Sequence, residues 1–249
     1  MPAPEDNPQV ASALAGGTNV LVVMAHPDDV DFSTAGSVAL WRAQGAQVTY
    51  VLCTDGDAGG SDRDLPRAEM AAIRRREQTA AAAAVGVDDL VFLGHGDGRL
   101  APTLELRRDL SRVIRQRRPQ LVVCQSPERN WDRVYASHPD HLAAGEAAMC
   151  AVYPDARNPF AHPELLDAEG LEPHTVEELW VVGHSVANRV NDVTDFFEQK
   201  LAALRCHRSQ VGDGEQLEPM LRDWMGANAA SAGLAPGRLA EAFRAVDTR

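Results

Sequence analysis

The chain has 249 residues, with 24 basic against 36 acidic side chains and a formal net charge of -12. That acidic balance argues against nonspecific attraction to nucleic acid or to an anionic membrane, and aromatics at 5% leave no stacking platform for bases. The length suits one large, well-buried α/β domain. Residues 1–18 are expected as a flexible N-terminal segment and 19–249 as that domain.

The opening residues 1–17 lack the basic start and apolar core of a secretion signal. No later apolar run approaches the ~20 residues of a membrane span, so a soluble, cytoplasmic protein is expected. Cys53, Cys124, Cys150 and Cys206 are widely spread with no Cys-x-x-Cys pair and read as reduced, structural thiols.

Residues 19–23, an apolar β-branched run, predict a strand buried on both faces. The stretch Met24-Ala25-His26-Pro27-Asp28-Asp29-Val30-Asp31-Phe32 follows where that strand opens into a loop, the place where open α/β sheets put their ligands. Adjacent carboxylates beside an imidazole repel one another unless a cation sits between them. On the triplet Pro27-Asp28-Asp29 alone, a solvated turn capping the next helix is an equally good reading.

A helix over 34–41 and a strand over 47–53 come next. The Gly- and Asp-rich loop 54–60 lacks the glycine spacing and the Lys-Ser/Thr end of a P-loop, so nucleotide binding is not expected. A long helix over 66–87 stops at Gly86. Arg74 and Glu77 share a face of it and read as an intrahelical ion pair. A strand over 90–93 leads to a loop, 94–100, that contains His95 and Asp97, with His95 read as a loop histidine. A helix over 103–118 ends at Pro119 before a strand over 120–124. The loop 125–136, with Arg129, Asn130, Trp131, Arg133 and Tyr135, reads as a substrate wall.

Ser137-His138-Pro139-Asp140-His141 repeats the His-Pro-Asp grammar, again before a helical pattern, 142–149. Two such segments at two strand-to-helix junctions can converge. His26, Asp29 and His141 would then supply two imidazoles and one carboxylate, a set that suits Zn2+ and leaves a position open for water. Iron as Fe2+ shares this ligand set.

Beyond it, 153–174 is proline-rich, with His162 and His174 read as solvated. A strand is expected over 178–183, an edge strand or turn over 189–194, and a helix over 195–206 with Thr194 as N-cap. Residues 217–246 read as alanine-rich helix broken at Pro236-Gly237, serving packing or subunit contact, which leaves a homo-oligomer open.

The pair AHPDD and HPDH resembles the family of zinc-dependent amidases that includes the de-N-acetylase of N-acetylglucosaminyl-phosphatidylinositol and bacterial deacetylases of thiol-sugar conjugates. The resemblance runs from about residue 19 to about residue 210, closing on Lys200 and His207-Arg208-Ser209-Gln210. It implies a Rossmann-like, mostly parallel sheet flanked by helices, with C-terminal strands and helices. It also implies hydrolysis of an N-acyl group, usually acetyl on a small amino-sugar conjugate. On the family's pattern an arginine of the 66–87 helix points toward substrate, assigned to Arg74 with Arg75 or Arg76 as the alternatives, and Asp97 accepts hydrogen bonds from sugar hydroxyls. The family's usual glutamate after the two aspartates is replaced by Val30 and then Asp31.

With His26, Asp29 and His141 on the metal, Asp28 is the general base and returns its proton to the departing amine. His138 stabilises the oxyanion, as an imidazolium oriented by Asp140. A zinc amidase acting on a thiol conjugate or natural-product amide shares this centre. A noncatalytic sugar-binding protein on the same fold would need no base.

Overall fold

The computed structural model describes residues 8–60, 62–131, 134, 137–212 and 214–249. Residues 1–7, Arg133 and Tyr135 therefore lie outside the described residues. In chain order the elements are β1 Gln9–Val10, β2 Asn19–Met24, α1 Asp29–Ala43, β3 Gln47–Thr54, α2 Arg67–Ala84, β4 Asp89–His95, α3 Leu104–Arg117, β5 Leu121–Gln125 and α4 Pro139–Cys150. They continue with α5 Pro163–Asp167, β6 Glu178–Val182, β7 Arg189–Asp192, α6 Phe197–Leu204, α7 Arg208–Val211, α8 Leu217–Ser231 and β8 Ala240–Asp247. Among the described residues no helix is long and apolar enough to cross a membrane.

The strands form one eight-stranded sheet in the order β1-β7-β8-β6-β5-β2-β3-β4, the α/β fold expected from the sequence. Every pairing is parallel except those of β8, which runs antiparallel to β6 and β7. Alternation along β2 explains why it is apolar throughout. Val20, Val22 and Met24 enter a core layer with Trp41, Tyr50, Trp180 and Phe243. Leu21 and Val23 enter the opposite layer, with Leu110, Ile114 and Ala144.

The chain runs outward from β2 to β3 and β4, then returns to place β5 on the other side of β2, with Val23 opposite Cys124. This reversal puts the carboxyl ends of β2 and β5, and the two histidine motifs that follow them, side by side. Helix α4 lies unusually close to β5: a Cβ at Gly145 would stand 2.3 Å from the Gln125 carbonyl oxygen. Only a residue without a side chain permits that approach, which brings His141 to the sheet end.

Two expectations at the C-terminal end are corrected. The residues after Pro236-Gly237 form β8, not helix. Ala240 and the partly covered Ala242 pack with Val190 and Ala229 while Phe243 enters the layer of Trp41 and Trp180, so both faces are covered and no polar alternation marks the strand. Thr194 does not cap the following helix. Its hydroxyl donates to Asp192 Oδ1 at 2.7 Å and accepts from the Leu239 N–H at 2.9 Å, and α6 begins at Phe197. His162 and His174 are half-buried, with His174 Nε2 2.7 Å from the Pro119 carbonyl oxygen. At the other end, Gln9–Val10 pairs with β7.

Candidate metal centre

The first motif is part of α1. That helix starts at Asp29, and Asp28 is its N-cap, held in the left-handed region at φ 86 and ψ -29. A non-glycine residue there is strained unless its surroundings fix it. They do. The Asp28 N–H donates to Gln78 Oε1 at 2.8 Å, and its carboxylate meets the Arg74 guanidinium at 3.0 Å. Arg74 also donates to the Pro27 carbonyl. It is therefore Arg74, rather than Arg75 or Arg76, that turns inward, and it binds the motif itself. The loop 56–59 lies directly over it, since a Cβ at Gly59 would meet its Nη1 at 2.4 Å. Glu77 does not pair with Arg74; it accepts from the Ser209 hydroxyl at 2.6 Å.

The second motif opens α4. His138 is its N-cap and Nδ1 accepts from the Asp140 N–H at 3.2 Å. That bond leaves the ring hydrogen of a neutral His138 on Nε2. Between the motifs lies Asp29, with Oδ2 3.2 Å from His26 Nδ1 and Oδ1 3.1 Å from His141 Nε2. The three imidazoles of His26, His138 and His141 have centroids 5.1 to 5.3 Å apart. Their nitrogens can approach one point, all within 4.8 Å of one another. Gln125 ties the strand ends together by accepting from the Ala25 N–H at 2.9 Å.

On the far side of His26, Nε2 faces Asp97 Oδ1 at 3.1 Å and Asp140 Oδ2 at 3.2 Å. This shifts two expected roles. The Asp140 carboxylate turns to His26 and to the N–H groups of Gly98 and Leu100, and it is only its backbone N–H that meets His138. Asp97 is buried, accepting from the Ala58 N–H at 2.9 Å as well as facing His26, rather than presenting a free carboxylate to sugar hydroxyls. Carboxylates behind a histidine fix its tautomer and direct the opposite nitrogen, here Nδ1, toward a metal. His95, expected in a loop, ends β4 and faces Asp109 at 3.2 Å.

The charges show which kind of ion the site suits. Burial lowers the pKa of His26, yet Asp29 and Asp97 outweigh it and push it up to about 11. Burial works against ionisation of Asp29 too, but His141 and His26 hold its carboxyl well below the usual range. Metal-free, the His26 ring thus supplies positive charge that the surrounding carboxylates demand. A divalent cation fits that demand and this donor set. For Asp28, burial and then the Asp29 charge push the carboxyl up to about 7, against Arg74, His207 and His26. Burial, followed by the charges of His26 and His141, lowers the pKa of His138. A neutral ring, not the expected imidazolium, follows.

Beneath the motif lies a buried polar layer that sequence reasoning only partly reached. Gln78 Nε2 donates to Asp31 Oδ2 at 2.8 Å, and His207 Nε2 faces the same oxygen at 2.8 Å. The Lys200 ammonium donates to the carbonyls of Asp31 at 2.9 Å and Phe32 at 2.6 Å, and to Glu241 Oε1 at 2.7 Å. Gln78 lies one turn after Arg74, a spacing that could have flagged it. Glu241 carries no sequence signal, because the alanine content of its strand, β8, suits a helix equally. A cavity of about 500 Å3 opens beside Asp29 and His141.

Residues 21–152 match the model of the PIG-L family, the GlcNAc-PI de-N-acetylases. The chain belongs to this family. It is 34% identical over 205 residues to the diacetylchitobiose deacetylase of Thermococcus kodakarensis, covering 82% of this chain and 74% of that one. It is 30% identical to 1D-myo-inositol 2-acetamido-2-deoxy-alpha-D-glucopyranoside deacetylase 1 of Saccharopolyspora erythraea, covering 90% and 86%. Among solved structures it resembles N,N'-diacetylchitobiose deacetylase from Pyrococcus horikoshii in complex with the inhibitor MPG. The TM-score there is 0.85 at 32% identity, over 93% of this chain and 84% of that one. The matched residues include both His-Pro-Asp segments, which the fold gathers at the ends of β2 and β5.

Proposed function

We propose that this protein is a zinc-dependent hydrolase that removes the N-acetyl group from a small amino-sugar conjugate, releasing acetate and the free amine. The observation that carries the reading is the convergence of His26, Asp29 and His141 with Asp28 alongside, its side chain turned to Arg74 and not to the imidazoles. Relatives with 30% identity or more are named as deacetylases of N-acetylated sugars, which supports the same substrate class.

His26 Nδ1, Asp29 and His141 would hold the cation, with Asp140 and Asp97 orienting His26 from behind. When bound, a divalent metal lowers the pKa of water toward neutrality and polarises the amide carbonyl. Asp28, whose carboxyl pKa is raised by burial, takes the proton of the attacking water and returns it to the nitrogen as the C–N bond breaks. Arg74 fixes the Asp28 carboxylate. His138, with Nδ1 committed to the Asp140 N–H, offers a neutral Nε2–H to the developing oxyanion. The free thiols of all four cysteines accord with action in the cytoplasm.

The test is acetate release from a panel of N-acetylglucosamine derivatives by protein loaded with Zn2+ or Fe2+, alongside metal analysis. Stoichiometric metal that is lost in His26→Ala, together with acetate release, is the expected result. Protein that binds no divalent ion under any loading condition would overturn the reading.

A further inference from the structure

The cavity beside the metal centre exists because β8 changes partners. Residues 240–243 pair with β7, and from Arg244 onward β8 pairs with β6. Val181 is the last β6 residue paired to β8, opposite Arg244. Val182 and Gly183 then part from β8 and leave a space whose walls include Asp29, His141, His184, Trp224 and Arg244. Its volume, about 500 Å3, is that of a small-molecule site and exceeds what an acetamido group fills. The flank made by β3 and β4 is otherwise occupied: Arg67, Arg74 and Arg75 there are each paired with an aspartate.

Four residues lining the cavity can carry positive charge. His141 faces Asp29 at 3.1 Å, Lys200 faces Glu241 at 2.7 Å, and His184 faces Glu128 at 3.2 Å. Arg244 is the fourth. It is half-buried, its backbone pairs with β6, and among the described residues its guanidinium has no hydrogen-bond or ion-pair partner. An uncompensated guanidinium on a cavity wall, in a chain of net charge -12, is left with its fork of donors to offer. The two carboxylates in the lining, Asp29 and Glu241, are already satisfied by His26, His141 and Lys200.

We propose that Arg244 is a specificity residue that binds an oxyanion, carboxylate or phosphate, on the aglycone of the substrate, so that the enzyme selects N-acetylglucosaminides with an anionic aglycone. This rests on the deacetylase reading and adds the substrate class. Arg244 takes no part in bond breaking; it sets which conjugate is held while Asp28 and the metal act.

The experiment compares N-acetylglucosaminyl L-malate with its dimethyl ester, and N-acetylglucosamine 1-phosphate with the methyl glycoside, on metal-loaded full-length protein. The diacid is expected to exceed the diester in kcat/KM by about tenfold or more, carried by KM, with the ratio shrinking as salt is raised. Arg244→Gln removes most of that ratio, lowering kcat/KM for the diacid far more than for the diester, while Arg244→Lys keeps part of it. Preference within the malate pair alone assigns a carboxylate, and within the phosphate pair alone a phosphate; either supports the proposal. Equal rates within both pairs for the unaltered protein, or equal loss on charged and neutral substrates in Arg244→Gln, overturns it. Calorimetric binding of the same four compounds separates the two readings. Charge-selective binding lost in Arg244→Gln but without turnover would remove the deacetylase activity and leave the Arg244 site standing. Turnover without charge selectivity would do the reverse.

Discussion

Replacing Lys200 by Met tests whether the buried layer beneath the first motif holds it in place. The ammonium is fully buried, Glu241 is 3% exposed, and the pair lies 2.7 Å apart with two α1 carbonyls as further acceptors. Met fills most of the stem volume, so the loss is chiefly electrostatic. Glu241 keeps its bonds from the Gly36 and Ser37 N–H groups at 3.0 and 2.7 Å but loses its cation. Breaking one partner from a buried ion pair costs about 3 to 5 kcal/mol. For a chain of this size that is a fall in Tm of roughly 6 to 20 °C. The measurement is urea and thermal unfolding of metal-free protein, so that metal binding does not enter. Because the lost bonds hold Asp31 and Phe32 in the first turn of α1, affinity for Zn2+ should fall as well. The double variant Lys200→Met/Glu241→Gln, which removes the orphaned charge, should recover a good part of the stability. A single-variant loss below ~1 kcal/mol, the level of an exposed pair, would refute the reasoning. So would a double variant less stable than the single one.

Asp28→Asn should keep its metal while kcat falls by about 10²- to 10⁴-fold; retention of most turnover would remove Asp28 as the base. A bound cation lowers the pKa of the Asp28 carboxyl from its metal-free value of about 7, so kcat/KM of the loaded enzyme should fall along an acidic limb below that pH. The folded pKa lies above the ordinary 3.8, so between these values the folded state binds the extra proton. The contribution of this group to stability is present in acid and lost as pH rises through about 7. Metal-free Asp28→Asn should therefore lose less stability than the unaltered protein between pH 4 and 8, measured by urea unfolding. Asp140→Ala removes the carboxylate behind His26 and should weaken metal binding by about 10- to 100-fold, read by chelator competition; unchanged affinity would deny it that role. Gly145→Ala drives a methyl into the Gln125 carbonyl oxygen. It should cost about 1 to 3 kcal/mol by unfolding and lower metal affinity, because α4 must shift with His141; a neutral result would mean that α4 and β5 can part freely.

Much of the fold could be read from the chain because its central strands announce themselves. The runs at β2, β3 and β5 are apolar and β-branched, as strands buried on both faces must be, and each opens into a motif or loop whose polarity marks a strand end. The two His-Pro-Asp segments carried the site for the same reason: crowded carboxylates and imidazoles are costly without a cation, so repeating them signals a shared one. Alanine carries no such information. It suits a helix and a tightly packed strand alike, so residues 240–246 read as helix until β6 and β7 are seen on either side.

Sequence alone determined which residue types the two motifs bring together and that both motifs follow strands. Only the tertiary structure decided how those groups are shared out. The Asp140 carboxylate goes to His26 rather than to the His138 next to it in the motif, because the start of α4 aims it at the Gly98 and Leu100 amides. Asp97 goes to the same imidazole, and Arg74 to Asp28. Lys200 and Glu241 meet because α6 and β8 both close on α1. Pairings of this kind depend on side-chain direction and on strand order, which no local pattern encodes, since each partner lies tens to hundreds of residues away and is selected by what else is buried there.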